Sequence, residues 1–159
     1  MKKIIAIAAI FALTLGTQEI ATAQTNKKTE TKANSEKQSI EKVITAYQDA
    51  LNASDAAKVV ELFTKTGVLM ANAAPTAEGA EAVKGTYQYV FDNFTYDLKF
   101  TVLDVVVNGN TAFVRSQSKG SFVIKASNQK VDDEFRELFV FEKENGQWKI
   151  ARYMYNKTK

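Results

Sequence analysis

The chain of 159 residues contains no cysteine and no histidine, and has only one proline and one tryptophan. Without cysteine there is no disulfide framework, thiolate nucleophile, iron–sulfur cluster or cysteine-based zinc site. Without histidine there is no Ser-His-Asp triad, no imidazole base, and no haem or zinc ligand of the commonest kind. Catalysis would have to run on Asp, Glu, Tyr, Lys, Arg or a borrowed cofactor. Charge of one sign is also scarce: 21 basic against 18 acidic residues leave a formal charge of +3.

The N-terminus carries Met1-Lys2-Lys3, an apolar stretch from Ile4 to Leu15, and Ala21-Thr22-Ala23 before Gln24. A basic start, an apolar middle and a small-x-small site make a secretory signal, with cleavage expected after Ala23. The stretch is too short to span a bilayer, which needs about 20 apolar residues, and a lipid anchor would need a cysteine. The expected location is therefore periplasmic or secreted, with no integral membrane segment after cleavage. Residues 24–38 are rich in Thr, Asn, Lys and Glu and nearly free of apolar side chains. Such a segment is expected to form a disordered leader. Lys27, Lys28, Lys32 and Lys37 cluster there, but an exported chain meets little nucleic acid, and none is expected as a partner.

Residues 39–156 read as one domain. Ile40, Val43, Ile44, Tyr47 and Leu51 form a helical stripe. Asn52-Ala53-Ser54-Asp55 breaks it, and Ser54 or Asp55 can cap a short second helix that turns Val59, Leu62 and Phe63 inward before Gly67. Val68 to Ala71 is a candidate small strand, and Asn72 to Glu78, with Pro75, a loop. A third helix places Val83, Tyr87, Val90, Phe91 and Phe94 on one face. The period then changes to two. Tyr96–Val107 and Thr111–Ile124 are joined at Asn108-Gly109-Asn110; Val131–Glu142 and Trp148–Tyr155 are joined at Glu144-Asn145-Gly146-Gln147. Three helices followed by an antiparallel meander make an α+β layout, with the helices on one face of the sheet.

Four stretches in this order resemble the nuclear transport factor 2-like superfamily, in particular its SnoaL-like and ketosteroid-isomerase-like members. They are Ala46-Tyr47 through Asp55; Val60 through Val68; Gly79-Ala80-Glu81-Ala82-Val83-Lys84; and Phe139-Val140-Phe141 with Asn145-Gly146-Gln147-Trp148-Lys149-Ile150. The resemblance implies a cystatin-like cone: three N-terminal helices on a curved, mainly antiparallel sheet, with a pocket at the wide end. It also implies a homodimer through the outer sheet face. In the isomerase-like members a helix tyrosine and a protonated strand acid form an oxyanion hole, and a carboxylate acts as base. Tyr47 matches the tyrosine and Glu137 falls at the acid, but the base position lands at Ala71. An aspartate common in SnoaL-like members reads Thr66. Two donors without a base can polarise a carbonyl but cannot abstract its α-proton.

The ligand-binding residues expected on this basis are Tyr47, Met70, Tyr87, Phe91, Glu137, Phe139, Tyr153 and Tyr155, and the catalytic candidates are Tyr47, Glu137 and Asp104. Each also has a plainer reading. Tyr47 can be a core tyrosine, and Glu137 can pair with neighbours on the surface. If it lies on the concave face among Phe135, Phe139 and Phe141, burial would raise its pKa. Asp104 shares an alternation with Phe100, Val102 and Val106, or is solvated. Arg115 can bind a carboxylate or sit in an outer-face pair. In the last strand, Lys149, Ala151, Tyr153 and Tyr155 are expected on the pocket side, which leaves Trp148, Ile150, Arg152 and Met154 for an outward interface or, for Trp148, the core. Asp132-Asp133-Glu134 lacks the spacing of a calcium loop and reads as a solvated turn. No metal or cofactor is expected, and the aromatic second half suits a small apolar ligand. The leading expectation is an exported, non-catalytic binder of such a ligand. The alternatives are an isomerase- or cyclase-type enzyme using Glu137 or Asp104, and an envelope protein-interaction domain.

Overall fold

In a computed structural model of the chain, residues 16–158 are described. The expected signal Met1–Ala23 falls largely on residues 1–15, outside that range. The first helix, α1 (Gly16–Asn52), is longer than expected and takes in residues 24–38. The segment holds no Gly or Pro, and its Lys, Glu, Gln and Ala sustain a helix even though they have nothing apolar to bury. Residues 30–39 are exposed except for half-buried Glu36. The chain divides into two units, 1–34 and 35–159; the sheet, the other helices and the site lie in the second. Among the described residues no helix is long and apolar enough to cross a membrane.

From Ile40 onward α1 buries the expected stripe: Ile40, Ile44, Tyr47, Ala50 and Leu51. Helix α2 (Ala56–Glu61) is capped by Asp55, whose carboxylate accepts from the Lys58 backbone N–H at 3.0 Å. It ends sooner than its apolar spacing suggests. Phe63 does not continue the helix but opens strand β1 (Phe63–Met70), which runs through Gly67. A Cβ on Gly67 would lie 2.9 Å from the Phe63 ring, so this glycine belongs to a tight bend in the strand rather than to a helix stop. Strand β2 (Ala77–Glu78) pairs with β1, and Gly79 leads into α3 (Ala80–Asn93), which buries Val83, Tyr87 and Phe91. Phe94, placed on that helix by its spacing, starts β3 instead.

Strands β3 (Phe94–Asn108), β4 (Thr111–Ile124), β5 (Gln129–Glu144) and β6 (Gln147–Lys157) form the expected antiparallel meander. The last hairpin closes on Asn145 and Gly146 with φ of 51° and 80°, the paired positive values of a type I′ turn. The curved sheet has six strands in the order β2-β1-β6-β5-β4-β3 and is mixed, because β1 runs parallel to β6.

Two bulges reset which side chains face the helices. In β3, Leu103 is the extra residue between the pairs Val102↔Ser116 and Asp104↔Arg115. Phe100 and Val102 therefore face inward with Val105, while Leu103, Asp104 and Val106 face solvent. In β6, Ala151 is extra between Phe141↔Ile150 and Val140↔Arg152. Both halves of that strand then point inward: Trp148 and Ile150 before the bulge, Ala151 and Tyr153 after it. Ile150 is thus corrected from the outward face to the core, and of the two placements open to Trp148, interface or core, the structure shows the core. Trp148 is buried, and its Nε1–H donates to Glu36 Oε2 at 2.7 Å. Lys143 closes the arrangement with a 2.6 Å ion pair to Glu36 and a position 4.8 Å over the Trp148 ring.

Candidate functional site

Between α1, α3, the loop after β1 and the inner sheet face lies a cavity of about 620 Å³. Its position follows from the packing. Large rings fill the narrow part of the core, where Phe139 and Phe141 are fully buried. Toward Ser116 and Ser118 the inner face of β4 changes from Ala112 and Val114 to small polar side chains. Less volume is supplied there, and the space stays open.

Tyr47 stands on the α1 side of this space, in edge contact with Tyr87, Phe100, Phe139 and Tyr153 at centroid distances of 5.3 to 6.1 Å. Its hydroxyl is 2.6 Å from that of Tyr87 on α3. Tyr153 lies flat on Phe139, with centroids 4.0 Å apart and planes 7° apart, and Tyr155 follows at 5.4 Å. Burial pushes the phenols of Tyr47, Tyr87, Tyr153 and Tyr155 above their ordinary value, so all four stay neutral and keep their O–H groups at physiological pH.

Among the described residues, Glu137 is the one carboxylate or cationic side chain in the wall, and it is 4% exposed. Register sets it between Ser116 of β4 and Tyr155 of β6. The Ser116 hydroxyl donates to Oε2 in a short hydrogen bond, while Oε1 has no partner. Desolvation raises the carboxyl pKa to about 7, against the opposing pull of the Ser116 hydrogen bond and of the Ser118 hydroxyl, which stands nearby but falls short of a hydrogen bond. Ser118 Oγ is itself buried without a hydrogen bond. The group can therefore accept or hold a proton near neutrality, as a general acid or base must. Ala71 also lines the cavity, so the position that the isomerase-like resemblance gives to a base carries a methyl group.

Of the residues expected in the site, Tyr47, Tyr87, Glu137, Tyr153 and Tyr155 line the cavity; Met70, Phe91 and Phe139 do not. Phe91 and Phe139 are core, buried behind Tyr87 and Tyr153. Asp104 and Arg115 stand opposite each other on the outer face, both exposed, which removes Asp104 as an inward acid and Arg115 as a cavity ligand. Asp132 is exposed, but Asp133 is buried and ion-paired to Lys157 at 3.2 Å, so the expected solvated turn is a paired strand segment. Among the described residues no cluster of acidic side chains could hold a metal ion.

Several lining residues were not expected. Tyr96 and Phe100 share the even-numbered alternation of β3 with Leu98, and that pattern could have placed them. Ser118 continues the inward alternation of β4. The loop residues Asn72, Ala74, Pro75 and Thr76 and the α3 residues Ala82, Gly85, Thr86 and Tyr89 have no such signal, because a tertiary approach brings them to the rim.

The description "SnoaL-like domain" fits residues 44–153, from Ile44 in α1's buried stripe to Tyr153 in β6. Among solved structures, the chain is similar to a ketosteroid isomerase-like protein from Erwinia carotovora atroseptica. They share 33% identity at a TM-score of 0.73, over 76% of this chain and 94% of that one. It is also similar to a nuclear transport factor 2-like protein with a cystatin-like fold from Novosphingobium aromaticivorans, at 19% identity and a TM-score of 0.68. That match covers 84% of this chain and 89% of the other. A conserved protein from Planctomyces limnophilus matches at 16% identity and a TM-score of 0.69, over 79% and 98% of the two chains. No curated protein matches the chain.

Proposed function

The chain belongs to the SnoaL-like domain family of the nuclear transport factor 2-like superfamily, and from that premise we propose that it is an exported binder of a small, predominantly apolar ligand held in the cavity. The observation that carries this reading is the cavity itself: about 620 Å³, walled by aromatic and aliphatic side chains around one buried carboxyl. That is the size and composition of small-molecule sites in general. The missing base at Ala71 weighs toward binding rather than proton abstraction. Export rests on the N-terminal sequence pattern alone. A homodimer through the outer sheet face belongs to the same proposal, supported by the partly exposed Leu103, Val106, Phe113, Leu138 and Met154 on that face. Thermal unfolding of the mature protein against a panel of apolar aromatic compounds tests the binding reading. Saturable stabilisation is expected, and a panel without effect would sink the idea.

One observation favours a second reading, an isomerase- or cyclase-type enzyme. A carboxyl with a pKa near 7 beside neutral phenols can donate or accept a proton during turnover. On that reading, any activity found on such compounds is lost in Glu137→Gln. Full activity in that variant excludes Glu137 as acid or base.

A further inference from the structure

The distribution of one residue type narrows the ligand's chemistry. The chain has six tyrosines, and all six line the cavity: Tyr47, Tyr87, Tyr89, Tyr96, Tyr153 and Tyr155. Of its ten phenylalanines only Phe100 and Phe135 do so. Among the described residues the wall contains no Lys or Arg, and Glu137 is its single carboxyl. We propose that the cavity selects an organic cation, a protonated or quaternary amine on an apolar body, with Glu137 as its counter-charge and the tyrosine rings as its walls. This rests on the small-molecule reading above and adds the sign of the ligand's charge.

The argument is electrostatic. Glu137 is 4% exposed, Oε2 is engaged by Ser116, and Oε1 has no partner. An ionised carboxylate in that state is costly to keep out of water unless a positive charge offsets it. No side chain in the wall supplies one. The carboxyl's terminal torsion is broad, so Oε1 can turn toward a ligand without leaving its rotamer. Phenol rings attract cations at their faces, and an aromatic enclosure with a carboxylate is a general way to hold an ammonium group. An anionic ligand would meet the opposite: a carboxylate and no cation to neutralise it. The groups facing Glu137 are the hydroxyls of Ser116 and Ser118 from β4 and the phenols of Tyr153 and Tyr155 from β6. Tyr47 on α1 and Tyr87 on α3 complete the wall, their hydroxyls bonded to each other. All of these are neutral, so the sign of the site is set by Glu137.

The test is a titration of the mature protein with a naphthylmethyl series that differs only at one end: trimethylammonium, tert-butyl or carboxylate. At about pH 8 the ammonium compound is expected to bind at least about tenfold more tightly than its tert-butyl isostere, with the carboxylate weakest. In Glu137→Gln this preference should collapse while tert-butyl binding persists, which shows the variant to be folded. Asp104→Asn, on the outer face, should leave the preference intact. Equal or tighter binding of the tert-butyl compound overturns the cation assignment and leaves the small-molecule reading standing. An ammonium preference that survives in Glu137→Gln overturns the role of this carboxylate, and failure of all three compounds to bind overturns both readings.

Discussion

Replacing Glu137 by glutamine should stabilise the protein in alkaline solution and weaken it slightly in acid. The carboxyl titrates at about 7 in the folded protein against 4.5 for a free side chain. Between those values the native state holds a proton that the unfolded chain has already lost, so stability falls as pH rises through this window. Below it both states are protonated and nothing is lost; above it the full penalty, about 3 kcal/mol, has been incurred. Glutamine cannot ionise and escapes that penalty. Its oxygen can still accept from Ser116, but its amide N–H groups bring buried donors that cost about 1 kcal/mol. The variant should therefore be about 2 kcal/mol more stable than the parent at high pH and about 1 kcal/mol less stable at low pH, with a crossing between. Urea unfolding from about pH 3.5 to about pH 8.5, followed by the fluorescence of the single tryptophan, Trp148, measures this directly. The difference between the two proteins cancels the contributions of other carboxylates. A difference that stays constant with pH, or moves the other way, would refute the reasoning that Glu137 is buried without a counter-charge.

Gly120→Ala should cost about 2 kcal/mol or more, since its Cβ would fall 2.0 Å from the Asp97 carbonyl oxygen across the β3–β4 pair. Chemical denaturation checks it, and an unchanged midpoint would mean that the strands part easily there. Tyr47→Phe should lower stability by about 1 to 2 kcal/mol, because it leaves the Tyr87 hydroxyl buried without its 2.6 Å partner. Asp55→Ala should cost about 1 kcal/mol through loss of the α2 cap, read from the same unfolding curves.

The parts of the fold that the sequence made visible are those governed by local chemistry. Strand β4 runs from Thr111 to Ile124 as its alternation predicts, and the β3–β4 and β5–β6 hairpins close at Asn-Gly positions where the glycine takes a positive φ. The parts it concealed depend on distant neighbours. Phe63 continues a helical spacing from Val59, yet it enters β1 because Phe63 pairs with Ile150 of β6. No local pattern announces a parallel partner so far along the chain. The faces of Asp104 and Trp148, which alternation alone left open, are set by one cause: a single extra residue, Leu103 or Ala151, reverses the alternation beyond it. Tyr47 and Glu137 could be picked out as polar groups on apolar stripes, whereas Ser118 and the loop after β1 reach the cavity only through tertiary packing.

Ligand binding in the cavity is tested most directly by nuclear magnetic resonance of tyrosine-labelled protein, because every tyrosine borders the cavity and none lies on the outer sheet face. Titration with a small apolar aromatic compound should move the ring signals of Tyr47, Tyr87, Tyr153 and Tyr155 together, with one saturating affinity. Tyrosine signals that stay fixed across the titration, at compound concentrations that bind the protein, would contradict the account.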